Sequence, residues 1–147
     1  VSELADFERL IAGDHGLCVA STLRPDGTIQ SSLVNAGVLK HPVSGENVVG
    51  MVVRGGTRKL VNLRADPRMT VVVRVGWQWV TVEGSVWIVG PDDPVSGIDG
   101  EHLRVLLRAV FTAAGGTHDD WDEYDRVMAQ DRRAVVLVSP DRVYGNG

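Results

Sequence analysis

The sequence predicts a mainly β fold, an antiparallel β-barrel or sandwich with helices at its side, formed as one domain over residues 1–147. Three observations carry this. Strand-like stretches follow one another from Leu17 to Val89 with a single short helical segment among them, Gly- and Pro-bearing turns separate them, and helical periodicity collects beyond Gly90. A doubly wound α/β sheet would instead alternate strands with helices.

Leu4, Phe7, Leu10 and Ile11 fall at helical spacing, with Gly13 as the stop. Leu17 to Leu23 is a strand, Arg24-Pro25-Asp26-Gly27 a turn, and Thr28 to Leu39 the returning arm of a hairpin. His41-Pro42-Val43-Ser44-Gly45 breaks the chain before a third strand, Asn47 to Val53. Gly55-Gly56-Thr57 then opens a helix from Arg58 to Ala65, closed at Asp66-Pro67 because the residue before proline is biased out of the helical region. Met69 to Val75 and Trp77 to Val89 are a fourth and a fifth strand joined around Gly76. Glu101 to Ala114 carries the apolar stripe Leu103, Leu106, Leu107, Val110 and Ala114, ended by Gly115-Gly116. Thr117 is the expected cap of a last helix bearing Trp121, Tyr124 and Met128 on one face. Ala134 to Val138 is a continuous apolar strand, with Arg142-Val143-Tyr144 as a short extension, for about six strands in all.

With 147 residues, 44% hydrophobic and 23% charged, the chain has a globular composition and can bury roughly 70% of its unfolded surface. No apolar run reaches membrane-spanning length and the acidic start is unlike a signal peptide, so a cytoplasmic protein is expected. The lone Cys18 sits in an apolar run and reads as a small buried hydrophobe. A net charge of −4 argues against nucleic acid as partner. Within that acidic chain, Arg54, Arg58, Lys59, Arg64 and Arg68 form one basic island against the single Asp66, which suits a small anionic ligand.

The four histidines are scattered and share no metal-ligand spacing, and neither a nucleophile elbow nor a dinucleotide fingerprint is present. What remains is Gly55-Gly56-Thr57-Arg58-Lys59 opening a helix directly after a strand: backbone N–H groups, a hydroxyl and two cations, chemically a phosphate clamp. The same residues equally suit a surface helix with a Thr cap and solvated basic side chains. Asn62, one turn on, shares the Arg58 side. In the Trp77–Val89 strand, alternation sends Val80, Val82, Val86 and Ile88 to the core, and Trp77, Trp79, Thr81, Glu83, Ser85 and Trp87 to the other face. So much aromatic surface on a mixed face predicts an interface or a ring-stacking pocket, unless a bulge at Gly84 returns Trp87 to the core.

Gly56-Thr57-Arg58-Lys59, then Asn62-Leu63-Arg64-Ala65-Asp66-Pro67-Arg68 leading into Met69-Thr70-Val71-Val72-Val73, resemble the pyridoxamine 5′-phosphate oxidase-like superfamily. Ala20 to Gly27 is similar to its first hairpin, and Trp77-Gln78-Trp79 with Val82-Glu83-Gly84 to its following strand. Asp131-Arg132-Arg133 with Val143-Tyr144-Gly145 resembles the end of actinobacterial members that use the deazaflavin coenzyme F420. The second strand offers Gln30, Ser31, Ser32 and Asn35 where true pyridoxamine phosphate oxidases carry a phosphate-binding arginine, and the substrate-binding carboxyl-terminal segment is also absent.

The resemblance therefore implies a split β-barrel of the FMN-binding type, a homodimer with its cofactor at the subunit interface. The implied activity is an F420-dependent oxidoreductase passing hydride to an unsaturated small molecule. The alternatives are an FMN-binding flavoprotein, a non-catalytic flavin or deazaflavin carrier, and a bare structural dimer. By the same resemblance Thr57, Arg58 and Lys59 hold the phosphate, with Asn62 beside them, and Ser31, Ser32, Asn35, Met51 and Val53 flank the ring. Arg54, with Arg58, Lys59 and Arg64, meets a polyglutamyl tail. Trp77 and Trp79 close the pocket from the partner subunit, and Arg132 and Tyr144 are candidates for the acceptor side.

Overall fold

The computed structural model describes residues 2–147, in the order α1 (Leu4–Ala12), β1 (Leu17–Leu23), β2 (Ile29–Asn35), β3 (Gly37–Lys40), β4 (Asn47–Val53), α2 (Arg58–Ala65), β5 (Arg68–Val75), β6 (Gln78–Val89), α3 (Gly100–Ala113), α4 (Trp121–Gln130) and β7 (Ala134–Gly145). All strand pairs are antiparallel, in one seven-stranded sheet of order β2-β1-β5-β6-β7-β4-β3. The strand count and several boundaries differ from expectation, and β7 runs unbroken from Ala134 to Gly145. The Thr28–Leu39 arm divides at Ala36, whose N–H leaves the ladder to donate to Gly16 O at 2.8 Å. The pieces on either side pair at opposite edges, β2 with β1 and β3 with β4. One linking residue cannot span a flat sheet, so the sheet curls until its edges meet, and β2 lies against β4 without pairing to it. That open seam positions the candidate site.

The curl creates an inside and an outside. Phe7, Leu10 and Ile11 of α1 and Leu60 and Leu63 of α2 pack with inward residues such as Val49, Met51, Val71, Val80 and Val136. A second apolar cluster lies outside, where Leu106, Leu107 and Val110 of α3 cover Val48, Val89, Val135 and Leu137. Each such side chain stabilises the fold by up to about 1.5–3 kcal/mol. Strands β4 and β7 are thus buried on both faces, which is why they read as unbroken apolar runs. Glycine lets the end of α3 approach the sheet, since a Cβ on Gly37 would strike the backbone of Ala113.

The β6 alternation holds, and its consequence is smaller than expected. A bulge lies between Glu83 and Gly84, where β7 carries the extra residue Asp141, so the parity of β6 is not reversed. Trp87 still points away from the barrel interior, but it belongs to the α3-covered cluster and packs 4.6 Å from the His41 ring. Only Trp77, 94% exposed in the β5–β6 turn, and Trp79, 38% exposed, remain on open surface. Cys18 is buried in the inner core, and burial pushes its thiol pKa up to about 12. Among the described residues, no helix is long and apolar enough to cross a membrane.

Candidate functional site

A cavity of about 640 Å³ opens at the seam. Leu33 and Asn35 of β2, Val52 and Val53 of β4, Arg54 just beyond it, and Thr57 and Lys59 at the start of α2 line one side. Phe111, Gly115, Gly116, Tyr124 and Met128 form the roof. An aromatic knot fixes this roof, with Phe111, Trp121 and Tyr124 ring centroids 4.9–6.1 Å apart. Tyr124 donates its hydroxyl to Leu107 O at 3.0 Å, and burial pushes the phenol pKa up to about 12. Asp125 joins α4 to α3 by accepting from Arg108 Nε at 2.9 Å and Arg104 at 3.2 Å.

The polar end of the cavity is rich in donors. Thr57 holds the extended backbone of a helix cap (φ −77°, ψ 155°), yet its hydroxyl does not cap α2, and Oγ1 is buried without a partner. Lys59 is half-buried; among the described residues no carboxylate lies within 4.0 Å, and burial pulls its ammonium pKa below the usual lysine value. Arg133 also lines the cavity, with a buried Nε that has no partner and a terminal nitrogen 3.3 Å from Asp131. Two loops converge here because Gly55 N–H donates to Asp131 O at 3.1 Å and a Cβ on Gly55 would come within 2.5 Å of Arg132 O. An unsatisfied buried donor costs about 1–3 kcal/mol. A ligand with several anionic oxygens relieves such a set, so these residues fit the phosphate of a flavin or deazaflavin.

Of the expected site residues, the fold brings Asn35, Val53, Arg54, Thr57 and Lys59 to the cavity. Asn35 does so with its amide already donated to His15 O at 2.9 Å. Others lie elsewhere for plain reasons. Met51 is fully buried inside the barrel, packed in the inner core with Val49 and Val71, and Val52 and Val53 further along β4 supply the cavity wall. Ser31 sits on the outer sheet face, 2.8 Å from Ser21 Oγ, and Ser32 is on the strand's other side. Arg58 is exposed and does not line the cavity; consecutive helical residues point about 100° apart, and Lys59 takes the inward direction. Asn62 is fully buried as a strut, donating to Thr22 Oγ1 at 3.1 Å and Gln30 Oε1 at 2.9 Å.

The acceptor-side candidates are also away from the cavity within one chain. Arg132 chelates Asp92 at the surface, and Tyr144 donates to Glu83, which raises the phenol pKa, while standing edge-on to Trp79 at 6.2 Å. Much of the basic island is neutralised. Arg64 is bidentate to Asp93 (2.8 and 2.7 Å), Arg68 to Asp66 (2.8 and 2.7 Å), and Arg54 lies 4.0 Å from Asp131. The expected cap Thr117 is in a loop, and Asp120 caps α4 by accepting from Glu123 N at 3.1 Å. Sequence reasoning missed Arg133 and the aromatic roof, whose apolar spacing read simply as helix core.

No protein-family model matches the sequence. Solved structures do match the fold along most of the chain. A conserved hypothetical protein from Mycobacterium tuberculosis superposes with a TM-score of 0.71 at 20% identity, over 99% of this chain and 84% of its own. An F420 reductase gives 0.63 at 19%, over 98% of each chain, and a pyridoxamine 5′-phosphate oxidase-related, FMN-binding protein from Nostoc punctiforme gives 0.63 at 10%, over 95% and 79%. The fold is that of the pyridoxamine 5′-phosphate oxidase-like proteins. In this chain the cavity lies where the two edges of the curled sheet approach each other.

Proposed function

We propose that the protein is an oxidoreductase that binds coenzyme F420 in the seam cavity and reduces an unsaturated small molecule. The observation that carries the reading is the pair of buried, unpartnered donors, Thr57 Oγ1 and Arg133 Nε, beside the half-buried Lys59 at one end of a largely apolar recess. When bound, the deazaflavin ring supplies the hydride. The chain's own contribution is to bind and orient: Lys59 and Thr57 hold the phosphate, and Phe111, Met128, Leu33 and Val52 exclude water from the apolar part of the recess. The F420 reductase among the structural neighbours supports this choice.

A homodimer completes the reading. Val19, Ile29, Leu33, Trp77, Trp79 and Tyr144 expose 38–94% of their surface. Val19 pairs with Leu33 on one sheet face, and Leu33 also lines the cavity. A second copy laid on that face covers apolar surface and walls the recess, with Trp77, Trp79 and Tyr144 available to its partner's site. Sedimentation of a dimer at micromolar concentration is the expected result, and a monomer refutes this element.

FMN is the second reading, favoured by the pairing of Arg64 with Asp93 and Arg68 with Asp66, which leaves less free charge for a polyglutamyl tail. Parallel titrations of tryptophan fluorescence at low and moderate salt separate the two. Tighter, salt-sensitive binding of F420 is expected, since tail contacts lie in solvent. Micromolar FMN binding with no F420 binding overturns the choice. Binding without turnover across reducible acceptors identifies a carrier instead.

A further inference from the structure

We propose that Arg133 is the second cation of the phosphate site, in the place the helix-start motif gives to Arg58, and that it acts with Thr57 and Lys59. This rests on the reading of the seam cavity as a phosphate-bearing cofactor site. Three observations lead to it independently of the motif. Arg133 lines the cavity whereas Arg58 does not. Its Nε is buried with no hydrogen-bond partner, and so is Thr57 Oγ1 at the same cavity. Its only ionic partner among the described residues, Asp131 at 3.3 Å, takes a terminal nitrogen and leaves Nε free.

The backbone explains how an arginine beyond α4 arrives at a site built around α2. Asp131 ends α4, Arg132 turns into the left-handed region (φ 51°), and two closing bonds follow, Arg132 N to Ala129 O at 3.1 Å and Arg133 N to Met128 O at 3.0 Å. This is the paired-bond ending by which helices reverse direction. It sends Arg132 outward to Asp92 and places Arg133 at the head of β7, where Gly55 clasps the same loop. Arg133 and Thr57 therefore line one recess from separate loops, and a tetrahedral oxyanion, which accepts along several directions, can pair with the Arg133 guanidinium while Lys59 supplies charge. A side-chain rotation brings Thr57 Oγ1 and Arg133 Nε, both closed to water, onto it.

The test compares Arg133→Gln, Arg133→Lys and Arg132→Gln with the unaltered protein, each first shown folded by circular dichroism. Calorimetric titrations use FMN and F420, together with riboflavin and the phosphate-free deazariboflavin. A charge-assisted contact to phosphate corresponds to roughly 10- to 150-fold in affinity. Arg133→Gln should lose that factor for the phosphate-bearing ligand that binds and change the phosphate-free one less than about threefold. Arg133→Lys should recover part of the loss, and Arg132→Gln should change neither. Unaltered phosphate-ligand affinity in Arg133→Gln overturns the proposal, as does an equal loss for both ligand types. If neither cofactor binds the unaltered protein, the functional reading fails and the anion site is judged by inorganic pyrophosphate alone. A pyrophosphate-dependent rise in Tm that Arg133→Gln abolishes supports the site, and no rise in the unaltered protein overturns it.

Discussion

Replacing Asn62 by alanine should destabilise the fold and leave cofactor affinity within about threefold. The side chain is fully buried, and its Nδ2 joins α2 to β1 and β2 through Thr22 Oγ1 (3.1 Å) and Gln30 Oε1 (2.9 Å). Losing the two bonds removes about 1 kcal/mol each, with a further penalty at Thr22, which is itself buried. Two terms oppose this. Asn62 Oδ1 has no partner, so its removal relieves a desolvation cost of about 1 kcal/mol, and alanine is the better helix former by about 0.5 kcal/mol. The net loss is about 1–2 kcal/mol, a fall of roughly 3–8 °C in Tm for a chain of this size. Scanning calorimetry and a cofactor titration on one preparation measure both. Combined with Thr22→Val, the double-mutant cycle should show coupling of about 0.5–1.5 kcal/mol. A tenfold loss of affinity at unchanged Tm would refute the strut and return Asn62 to the ligand.

Asp125→Asn should loosen α4, seen as faster amide exchange across residues 121–130 and a loss of about 1 kcal/mol at neutral pH. The Arg108 guanidinium holds the Asp125 carboxyl below its usual range, so its contribution is complete above the unfolded value of about 3.9 and fades as pH falls through the folded one. The Tm difference from the unaltered protein should therefore shrink in acid, and a difference independent of pH would count against the ion pair. Lys59 binds an anion only when protonated, and burial lowers its pKa. Affinity for the phosphate ligand should fall with rising pH earlier than an ordinary lysine at about 10.4 would dictate, and Lys59→Arg should abolish that alkaline fall. Arg132→Gly should raise Tm, because glycine adopts a φ of 51° without the roughly 1–2 kcal/mol that a side chain adds there, a gain that exceeds the exposed pair with Asp92. A lowered Tm would show the Asp92 pair to be the stronger term.

Most of the fold was legible because its elements announce themselves locally. β1 and β4 lie within the boundaries their apolar patterns predict, and the both-sides-buried β7 shows as the run Ala134 to Val138. The missed division at Ala36 has no local signal. Gly37 looks like an interruption inside a strand, and only the pairing of β2 and β3 at opposite edges reveals that the chain changes partners there. The fate of Trp87 was equally non-local, since strand parity states which side a residue takes and not whether α3 covers it.

The site was half legible for a related reason. Thr57 and Lys59 belong to one turn at a helix start, and a motif contained in one turn survives in the linear sequence. Arg133 does not, because its direction depends on a helix ending that normally carries glycine at the left-handed position and here carries Arg132. With no glycine to mark the reversal, two adjacent arginines look interchangeable. The backbone separates them: the same turn that ties Arg132 to Asp92 on the surface sets the Arg133 Nε, without a partner, at a cavity that already holds the unpartnered hydroxyl of Thr57. Burying a donor in that state costs about 1–3 kcal/mol. Two such groups on separate loops are what the proposed anion site draws on to join the α4–β7 junction to the start of α2.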